Sequence, residues 1–468
     1  NGGGAMTVHD PRSDTGKPGS APGHRAWPAR VGLRAPTGTG LYALLALLPL
    51  ALAVPLRDRP VIDEVATSLG LVAFSIALLE FALSGRFRRV SGRIGVDRTL
   101  RVHRVVAYTM VVLIALHPFL YTHAEVDGRF ATAPWFTGTD PELGLDPLPL
   151  WTGTAAWILV AVLVVTAIDR TILPCRYETW RRLHAGGAGL ATALVAVHAF
   201  TAGGYSGALP LSAYWTALLA GAGASLVYGY LLQPWRQAGH PYTVTRVDRV
   251  GAHSWELRLH PRDGRGFAFR PGQLAWMKLG SGAFAGVEHP FSISTAPESA
   301  PEIGFIIKEK GDFTNRIGQV APGTPAYLDG PHGHFVPDDA PVPTVYIAVG
   351  TGIGPVLSHL RAFRDSGDRR AVTLIYAAET PDALVARDEL AAMADTLNLA
   401  CHLVVRTPDA GWTGHVGSID RDLLDACLPA RDRDVPRYFV CGSPTMMAAT
   451  ARTLRRLGVP RGRIVSGS

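Results

Sequence analysis

The chain has 468 residues, enough for several domains with sizeable cores. Hydrophobic residues make up 47% and charged residues 18%, against roughly 25% charged residues in typical soluble domains. Charges are scarce before about residue 235 and ordinary after it, which excludes a purely soluble enzyme and a disordered chain. The net charge of +7 comes from arginines beside apolar stretches, which favours cytosolic membrane loops over a nucleic-acid partner.

Six apolar segments follow an N-terminal region rich in Gly, Pro and Arg. Residues 1–36 are predicted to be disordered, with an expression scar before Met6. Each apolar segment is close to the roughly 20 residues that a spanning helix requires. The segments lie near residues 37–56, 65–84, 102–123, 149–168, 180–202 and 211–232. We therefore predict a six-helix membrane bundle over residues 37–232.

The loops indicate the orientation of this bundle. Arginines dominate the loops after the second and fourth segments, whereas the loop after the third, residues 124–148, is acidic. Cytosolic loops carry the excess of Lys and Arg. We therefore expect a multi-pass protein of the cell membrane, with both termini and the whole C-terminal half in the cytosol.

Four histidines form two pairs inside the segments. His103 and His117 lie on the third segment, and His184 and His198 lie on the fifth. The members of each pair are nearly four helical turns apart, so they share one helix face about 21 Å apart along the axis. Both helices run from the inside outwards, so His103 can face His184 near the inner surface and His117 can face His198 near the outer surface. Two facing imidazoles at each level are what bis-His haem ligation needs, so we predict that the four histidines are the metal ligands of two haems.

Other interpretations of these side chains remain open. The histidines could be isolated polar core residues, although ionisable residues within membranes are rare and usually functional. A metal-transporting channel is a further interpretation, but the carboxylates expected beside such sites are missing. The small residues at 185–189 leave room for a flat macrocycle, or serve helix packing. Glu80, the one acid well inside a segment, is a snorkelling residue or an arginine partner and receives no role.

The C-terminal half follows a short linker predicted at residues 233–241. Residues 242–338 are rich in strand patterns, and residues 339–468 alternate strand and helix, which predicts a doubly wound α/β domain. A glycine-rich turn at residues 350–355 separates a strand from a helix. Such a turn lets the backbone approach a pyrophosphate at the positive end of the helix.

The spacing of the four cysteines gives no indication of a metal site or of a haem attachment. They are Cys175, Cys401, Cys427 and Cys441. Their separations match no zinc, iron–sulfur or c-type haem motif. We expect free thiols in the cytosol.

Several motifs taken together resemble one family. They are the two histidine pairs, the segment His289-Pro290-Phe291-Ser292, the segment Lys310-Gly311-Asp312-Phe313-Thr314, the glycine-rich turn and the segment Cys441-Gly442-Ser443-Pro444. In this combination the chain resembles the NADPH oxidase / ferric reductase flavocytochromes, over residues 37 to about 465. The resemblance implies a ferric-reductase-like transmembrane domain fused to a ferredoxin-reductase-type module with a β-barrel FAD domain and an α/β NAD(P) domain. Its implied cofactors are FAD, NAD(P)H and two haem b groups.

The resemblance also implies roles for single residues. Phe291 and Ser292 would lie along the flavin ring and Cys441 beside the nicotinamide, as the catalytic residues. The FAD-binding residues would be His289, Pro290, Phe291, Ser292, Gly311, Asp312, Phe313 and Thr314. The residues that bind the nicotinamide dinucleotide would be Gly350, Thr351, Gly352, Gly354, Pro355, Glu379, Cys441 and Gly442.

The sequence departs from the family pattern at two places. Relatives usually end on an aromatic residue that covers the flavin, whereas residues 465–468 are Val-Ser-Gly-Ser, so we expect an open nicotinamide face. Relatives that prefer NADPH often place Ser or Arg where this chain has Glu379. A carboxylate repels the 2′-phosphate, although Arg387 or Arg406 could offset it, and we expect NADH to be preferred.

The implied activity is transmembrane electron transfer from NAD(P)H through FAD and the haems to an external acceptor. We expect dioxygen as the acceptor, giving superoxide or peroxide. The alternatives are a ferric complex, an extracytoplasmic redox partner protein, and a non-redox transporter with a regulatory domain. The lipid bilayer is an expected partner, and nucleic acid is not.

Overall fold

The computed structural model describes most of the chain. The described residues are 35–57, 60–83, 96–120, 123–126, 129–132, 147–169, 172–175, 177–202, 204–280, 282–284, 288–428 and 435–467. The predicted disorder of the N-terminal segment, the expression scar and most residues of the arginine-rich and acidic loops lie outside these ranges.

Six helices of the described chain are long and apolar enough to cross a membrane, which confirms the predicted bundle. Large apolar side chains on their outer faces are exposed, such as Leu44 (62%), Val105 (60%) and Trp151 (70%). Such surface is stable against lipid rather than water. The helices are α1 (Ala35–Ala53), α2 (Val61–Leu83), α3 (Val96–Leu116), α4 (Pro147–Ile168), α5 (Tyr177–Thr201) and α6 (Leu211–Val227).

Helix α2 lies at the centre of the bundle, in contact with α1, α3 and α6, while α4 pairs with α5. Phe74 of α2 packs on the fully buried Trp215 of α6, with ring centroids 4.6 Å apart. After α3 the chain forms a turn of 3-10 helix, His117–Leu120, and a hairpin of β1 (His123–Val126) and β2 (Arg129–Thr132). His117 therefore lies just beyond the α-helix that carries His103.

The sixth helix continues into the C-terminal half without a break. A π-helical turn, Tyr228–Leu232, leads directly into α7 (Gln233–Gly239), so the predicted linker at residues 233–241 is helical over most of its length. The helix persists because its polar side chains are buried against a sheet. Gln233 Nε2 donates to Asp329 at 2.5 Å, and the ammonium of Lys278 donates to Gln237 Oε1 at 2.9 Å.

The first sheet of the C-terminal half has six antiparallel strands in the order β6-β5-β8-β3-β4-β7. The β-barrel implied by the family resemblance does not close into a continuous ladder. Its edge strands meet only at a bridge between Ile293 and Phe305, because β6 has four residues and the chain then turns away. The strands are β3 (Tyr242–Gly251), β4 (Ser254–Pro261), β5 (Leu274–Leu279), β6 (His289–Ser292), β7 (Ile303–Lys308) and β8 (Pro325–His332).

The second sheet is parallel, with the order β12-β11-β10-β9-β13-β14 and helices on its faces, as the doubly wound pattern predicts. The order reverses between β9 and β13, and ligands of such sheets bind beyond the carboxyl ends of the strands at that point. The strands are β9 (Thr344–Val349), β10 (Val372–Ala378), β11 (Leu399–Val405), β12 (His415–Val416), β13 (Arg437–Cys441) and β14 (Ile464–Ser466). The helices are α8 (Ile353–Ser366), α9 (Arg387–Thr396), α10 (Arg421–Cys427) and α11 (Pro444–Arg456).

Helix α8 joins the two sheets and is buried along most of its length. The Ser358 hydroxyl donates to the Thr295 carbonyl at 2.6 Å, and the Arg361 guanidinium donates to the Ser294 carbonyl at 2.9 Å. His359 is fully buried between them. Its Nδ1 accepts from the Tyr346 hydroxyl at 2.8 Å, and its Nε2 donates to the Phe335 carbonyl at 3.1 Å.

Because His359 is buried as a neutral ring, we predict that it makes stability depend on pH. Burial lowers its pKa to about 3, so the unfolded chain takes up a proton below its ordinary value of 6.5 and the folded chain does not. The stabilisation is therefore present above pH 6.5 and is lost as the pH falls towards 3, by up to about 1.4 kcal/mol per pH unit. Thermal unfolding of the full chain in detergent should show a shallower decline between pH 7.5 and 5 for His359→Gln than for wild type.

The exposed His260 provides the control, since His260→Gln should leave the wild-type slope unchanged. Equal slopes for His359→Gln and wild type would contradict the assignment.

Candidate functional site

The outer histidine pair lies between two pairs of helices. The rings of His117 and His198 have centroids 6.3 Å apart and are perpendicular. Nδ1 of His117 donates to the Ala66 carbonyl of α2 at 2.7 Å, and Nδ1 of His198 donates to the Pro149 carbonyl of α4 at 2.8 Å. These bonds fix the tautomer, so the lone pair of each ring lies on Nε2, the atom available to a metal.

A glycine one helical turn after each carbonyl makes room for the ring. A Cβ at Gly70 would lie 2.7 Å from Cε1 of His117, and a Cβ at Gly153 would lie 2.7 Å from Nδ1 of His198. Each imidazole lies over the glycine to reach the carbonyl four residues earlier in the same neighbouring helix, because residues four apart share a helix face. Each ring therefore depends on one carbonyl and one glycine of a neighbouring helix.

The inner pair is held differently. Nδ1 of His103 hydrogen-bonds a carboxylate oxygen of Glu80, whose other oxygen accepts from the Tyr42 hydroxyl at 2.9 Å. The ring of His184 stacks on Trp180, with centroids 5.1 Å apart. Nδ1 of His184 is buried and has no hydrogen-bond partner among the described residues. Such an atom costs about 1–3 kcal/mol, which favours a group that the chain itself does not supply.

These residues fit two bis-His metal groups. At the outer level, opposed rings with a fixed tautomer leave room for a metal about 2 Å from each nitrogen. At the inner level a carboxylate orients one imidazole, as it commonly does for histidines of metal sites, and the other imidazole has a buried nitrogen without a hydrogen-bond partner among the described residues.

The predicted flavin residues form a stack of aromatic rings at the sheet edge. His289 lies on Phe313 with ring centroids 4.1 Å apart, and Phe291 lies 6.2 Å from Phe313 with nearly parallel rings. The β5–β6 pairing sets this edge, since Phe291 pairs with Ala275 and Ser292 with Leu274. The exposed Pro290 has no N–H to give and accordingly lies on an edge strand.

The hydroxyl of Thr314 holds the loop Gly311–Thr314 in place. The Lys310 N–H donates to Thr314 Oγ1 at 2.9 Å, and the Arg316 guanidinium donates to the Asp312 carbonyl at 3.1 Å. Gly311 and Asp312 are exposed. The structure thus brings Phe313 to the histidine-led segment and leaves this loop at the surface beside it.

The predicted dinucleotide residues meet at the switch point of the parallel sheet. Gly350 follows β9 with a φ of +56°, which favours glycine, and α8 begins at Ile353. Gly354 and Pro355 lie in the buried first turn of α8. A Cβ at Gly352 would collide with the Cys441 carbonyl and lie 3.0 Å from the Gly442 nitrogen. The two loops therefore touch, and the segment that leads into α11 lies against the turn that leads into α8.

Cys441 lies at the end of β13 in this crevice. Burial raises the pKa of its thiol to about 12, so the group is a neutral thiol at physiological pH rather than a nucleophilic thiolate. A Cβ at Gly467 would lie 3.1 Å from the Cys441 sulfur, so residue 467 packs against it.

Glu379 follows β10 and is 60% exposed, with Arg406 Nε at 3.7 Å from its carboxylate. Arg387 lies instead over the Trp412 ring, 5.6 Å from the centroid. Arg406, rather than Arg387, is thus the arginine that lies beside the Glu379 carboxylate.

Sequence reasoning missed the residues that orient the histidines. The sequence signal that could assign Glu80 is the rarity of an acid within a membrane segment. Gly70 and Gly153 could not be found from spacing, since they act on rings of other helices.

Comparison with known proteins agrees with this arrangement. The model of the ferric reductase like transmembrane component matches residues 69–195, and the model of the oxidoreductase NAD-binding domain matches residues 346–452. The chain therefore joins a ferric-reductase-like transmembrane domain to a ferredoxin-reductase-type module that binds FAD and NAD(P)H. It is a membrane-embedded oxidoreductase.

Curated relatives align with parts of the chain. Ferredoxin–NADP reductase B of Sorangium cellulosum is 29% identical over 44% of this chain and 87% of its own length. The reductase component of propane 2-monooxygenase from Rhodococcus jostii is 29% identical over 47% of this chain and 61% of its own. NADH-cytochrome b5 reductase 1 of Laccaria bicolor is 31% identical over 33% of this chain and 53% of its own.

We predict that Gly70→Ala and Gly153→Ala each disturb the outer histidine pair. The added methyl group must displace the ring or the helix, because real Cβ atoms essentially never lie under 3.0 Å from a neighbour. If the outer pair holds a haem, absorbance and flavin analysis of the purified chain should show a lower haem-to-flavin ratio or altered low-spin spectra.

Gly221→Ala is the matched control, since nothing lies within 4 Å of a Cβ there and the site is also a membrane helix. Wild-type haem content and spectra in both test variants would refute the role of the glycines.

We also predict that Glu379→Arg raises kcat/KM for NADPH relative to NADH. The change replaces a repulsive charge by an attractive one, and the effect should shrink at high salt because the position is exposed. Steady-state assays with both cofactors measure the ratio.

Glu298→Arg applies the same charge change at another exposed position and should leave the ratio unaltered. An unchanged ratio in Glu379→Arg would mean that this carboxylate does not face the ribose. A wild type that strongly prefers NADPH would assign the phosphate to Arg406.

Proposed function

We propose that this chain transfers electrons from cytosolic NAD(P)H, through FAD and two bis-His b-type haems, to an acceptor outside the cell membrane. The observation that carries the proposal is the opposed pair of His117 and His198, with each Nδ1 bound to a carbonyl of another helix. In the proposal His103 and His184 hold the inner haem, and His117 and His198 the outer one. Each haem supplies a reversible one-electron couple when bound.

The chain's own residues position the cofactors. In the proposal the side chains of His289, Phe291 and Phe313 pack against the flavin, and Ser292 offers a hydroxyl to its ring. The loop residues Gly311–Thr314 bind its pyrophosphate with backbone N–H groups. The buried cluster of Lys278, Glu288 and Gln237 fixes β5 to α7, with Lys278 Nζ 3.1 Å from the Glu288 carboxylate. This cluster ties the flavin edge to the membrane bundle.

The dinucleotide crevice selects and orients the reductant. Gly350, Thr351 and Gly352 let the pyrophosphate approach the N-terminus of α8, where the helix dipole favours negative charge. The neutral Cys441 thiol, with Gly442, borders the nicotinamide without offering a competing charge or base.

The expected orientation completes the proposal. With both termini cytosolic, NAD(P)H meets the C-terminal module on the inside. The outer histidine pair then lies near the external surface. Because the cytosolic side of a cell membrane is electrically negative, the membrane potential favours outward electron flow by about 2.3 kcal/mol per 100 mV for each electron.

Dioxygen is the acceptor that we propose first, because the flavin segment beginning at His289 is most similar to the oxidase branch of the family. A ferric complex is the second candidate, and it is favoured by the match of residues 69–195 to the ferric reductase like component. An extracytoplasmic redox partner is the third.

The test uses the full chain, loaded with haem and FAD and reconstituted in vesicles. NADH or NADPH is supplied on the side of the C-terminal module, and superoxide, peroxide and chelated Fe²⁺ are measured on the other side. Stoichiometric superoxide supports the oxidase, whereas iron reduction with little oxygen use supports the ferric reductase. Slow turnover with both points to a partner protein.

We predict that His117→Ala and His198→Ala each remove the outer haem and abolish acceptor reduction, while NAD(P)H still reduces the flavin. His260→Ala is the matched control and should keep both haems. A wild-type haem-to-flavin ratio near one would overturn the two-haem proposal.

A further inference from the structure

Three side chains with metal-binding donors meet at the edge of the parallel sheet. His402 lies on β11, His415 on β12 and Cys427 at the end of α10. Their ligand atoms all lie within 4.8 Å of one another. None of the three belongs to the histidine pairs, the flavin edge or the dinucleotide crevice.

The separations approach those of a metal site. Sγ of Cys427 lies 3.8 Å from Nε2 of His415, and the two imidazole rings have centroids 5.5 Å apart. Zinc binds nitrogen at about 2.0 Å and sulfur at about 2.3 Å, so tetrahedral ligands lie about 3.6 Å apart. The cysteine–histidine pair is already near that value, and the other separations, all within 4.8 Å, exceed it by about 1 Å at most.

The fold itself brings the three together. The parallel pairing of β11 and β12 sets Val404 beside His415. His402, two residues before Val404, shares its face of the sheet. Helix α10 packs on this face through Leu424, in the same apolar cluster as Val404 and Cys427. Cys427 is only 7% exposed, so its sulfur is fixed by the packing.

The donor set suits a transition-metal ion. Two imidazoles and one thiolate are ligands that zinc accepts.

We propose that His402, His415 and Cys427 bind one zinc ion, which ties the edge strand β12 and the end of α10 to β11. Binding forms one Zn–S and two Zn–N bonds and releases the thiol proton to solvent. His415 is exposed, so water completes the coordination from the solvent side.

The test uses the untagged full chain in detergent, stripped with a chelator and equilibrated with buffered Zn²⁺ alone. Elemental analysis should give one tight zinc per chain, and zinc-edge X-ray absorption should report one sulfur and two imidazole nitrogens. Bound zinc should also protect Cys427 from alkylation, which peptide mass spectrometry detects. His415→Ala, at an exposed position, and Cys427→Ser should each weaken binding by about tenfold or more.

Two neighbouring changes are controls. Cys401→Ser removes a thiol one residue before His402, and His240→Ala removes an exposed imidazole elsewhere, and both should bind zinc as wild type does. The proposal is overturned if wild type retains no tight zinc, if His415→Ala binds it with unchanged affinity, or if the absorption spectrum contains no sulfur ligand.

Discussion

The membrane half depends on the need of each buried imidazole N–H for a hydrogen-bond acceptor. In an apolar bundle such a group has no water, and leaving it unpaired costs about 1–3 kcal/mol. The acceptors here are the carbonyls of Ala66 and Pro149, which belong to helices other than those that carry the rings. The same two bonds therefore fix ring orientation and hold α2 and α4 against their partners.

Each of these bonds has a steric requirement. A helix carbonyl is normally shielded by the side chain one turn later, and here that residue is glycine in both cases. The inner level meets the same need differently, with the Glu80 carboxylate as acceptor for His103 and Tyr42 as a second donor to that carboxylate. A charged acceptor near the membrane surface is less costly than one at its centre. This difference distinguishes the two levels of the bundle.

The C-terminal half is positioned by continuous elements rather than flexible joints. The continuous helix from α6 through α7 places Gln233 and Gln237 against buried partners on the six-stranded antiparallel sheet. Hydrogen bonds therefore join the membrane bundle directly to this sheet. Helix α8 starts at the dinucleotide crevice, and from its middle Ser358 and Arg361 donate to carbonyls of the segment that follows β6. One helix thereby connects the loop proposed to hold the reductant with the sheet that carries the flavin residues.

The sequence by itself determined the elements that depend on local pattern. Apolar length gave the six spans, and alternation of strand and helix gave the doubly wound sheet. Contacts between distant residues were decided only by the tertiary structure. Four features depend on contacts between residues that are not neighbours in the chain. They are the open antiparallel sheet, the helical junction at Gln233–Gly239, the carbonyl and glycine beside each outer ring, and the cluster of His402, His415 and Cys427. Periodicity records which face of an element is buried, but which neighbour covers that face follows from the packing of the whole chain.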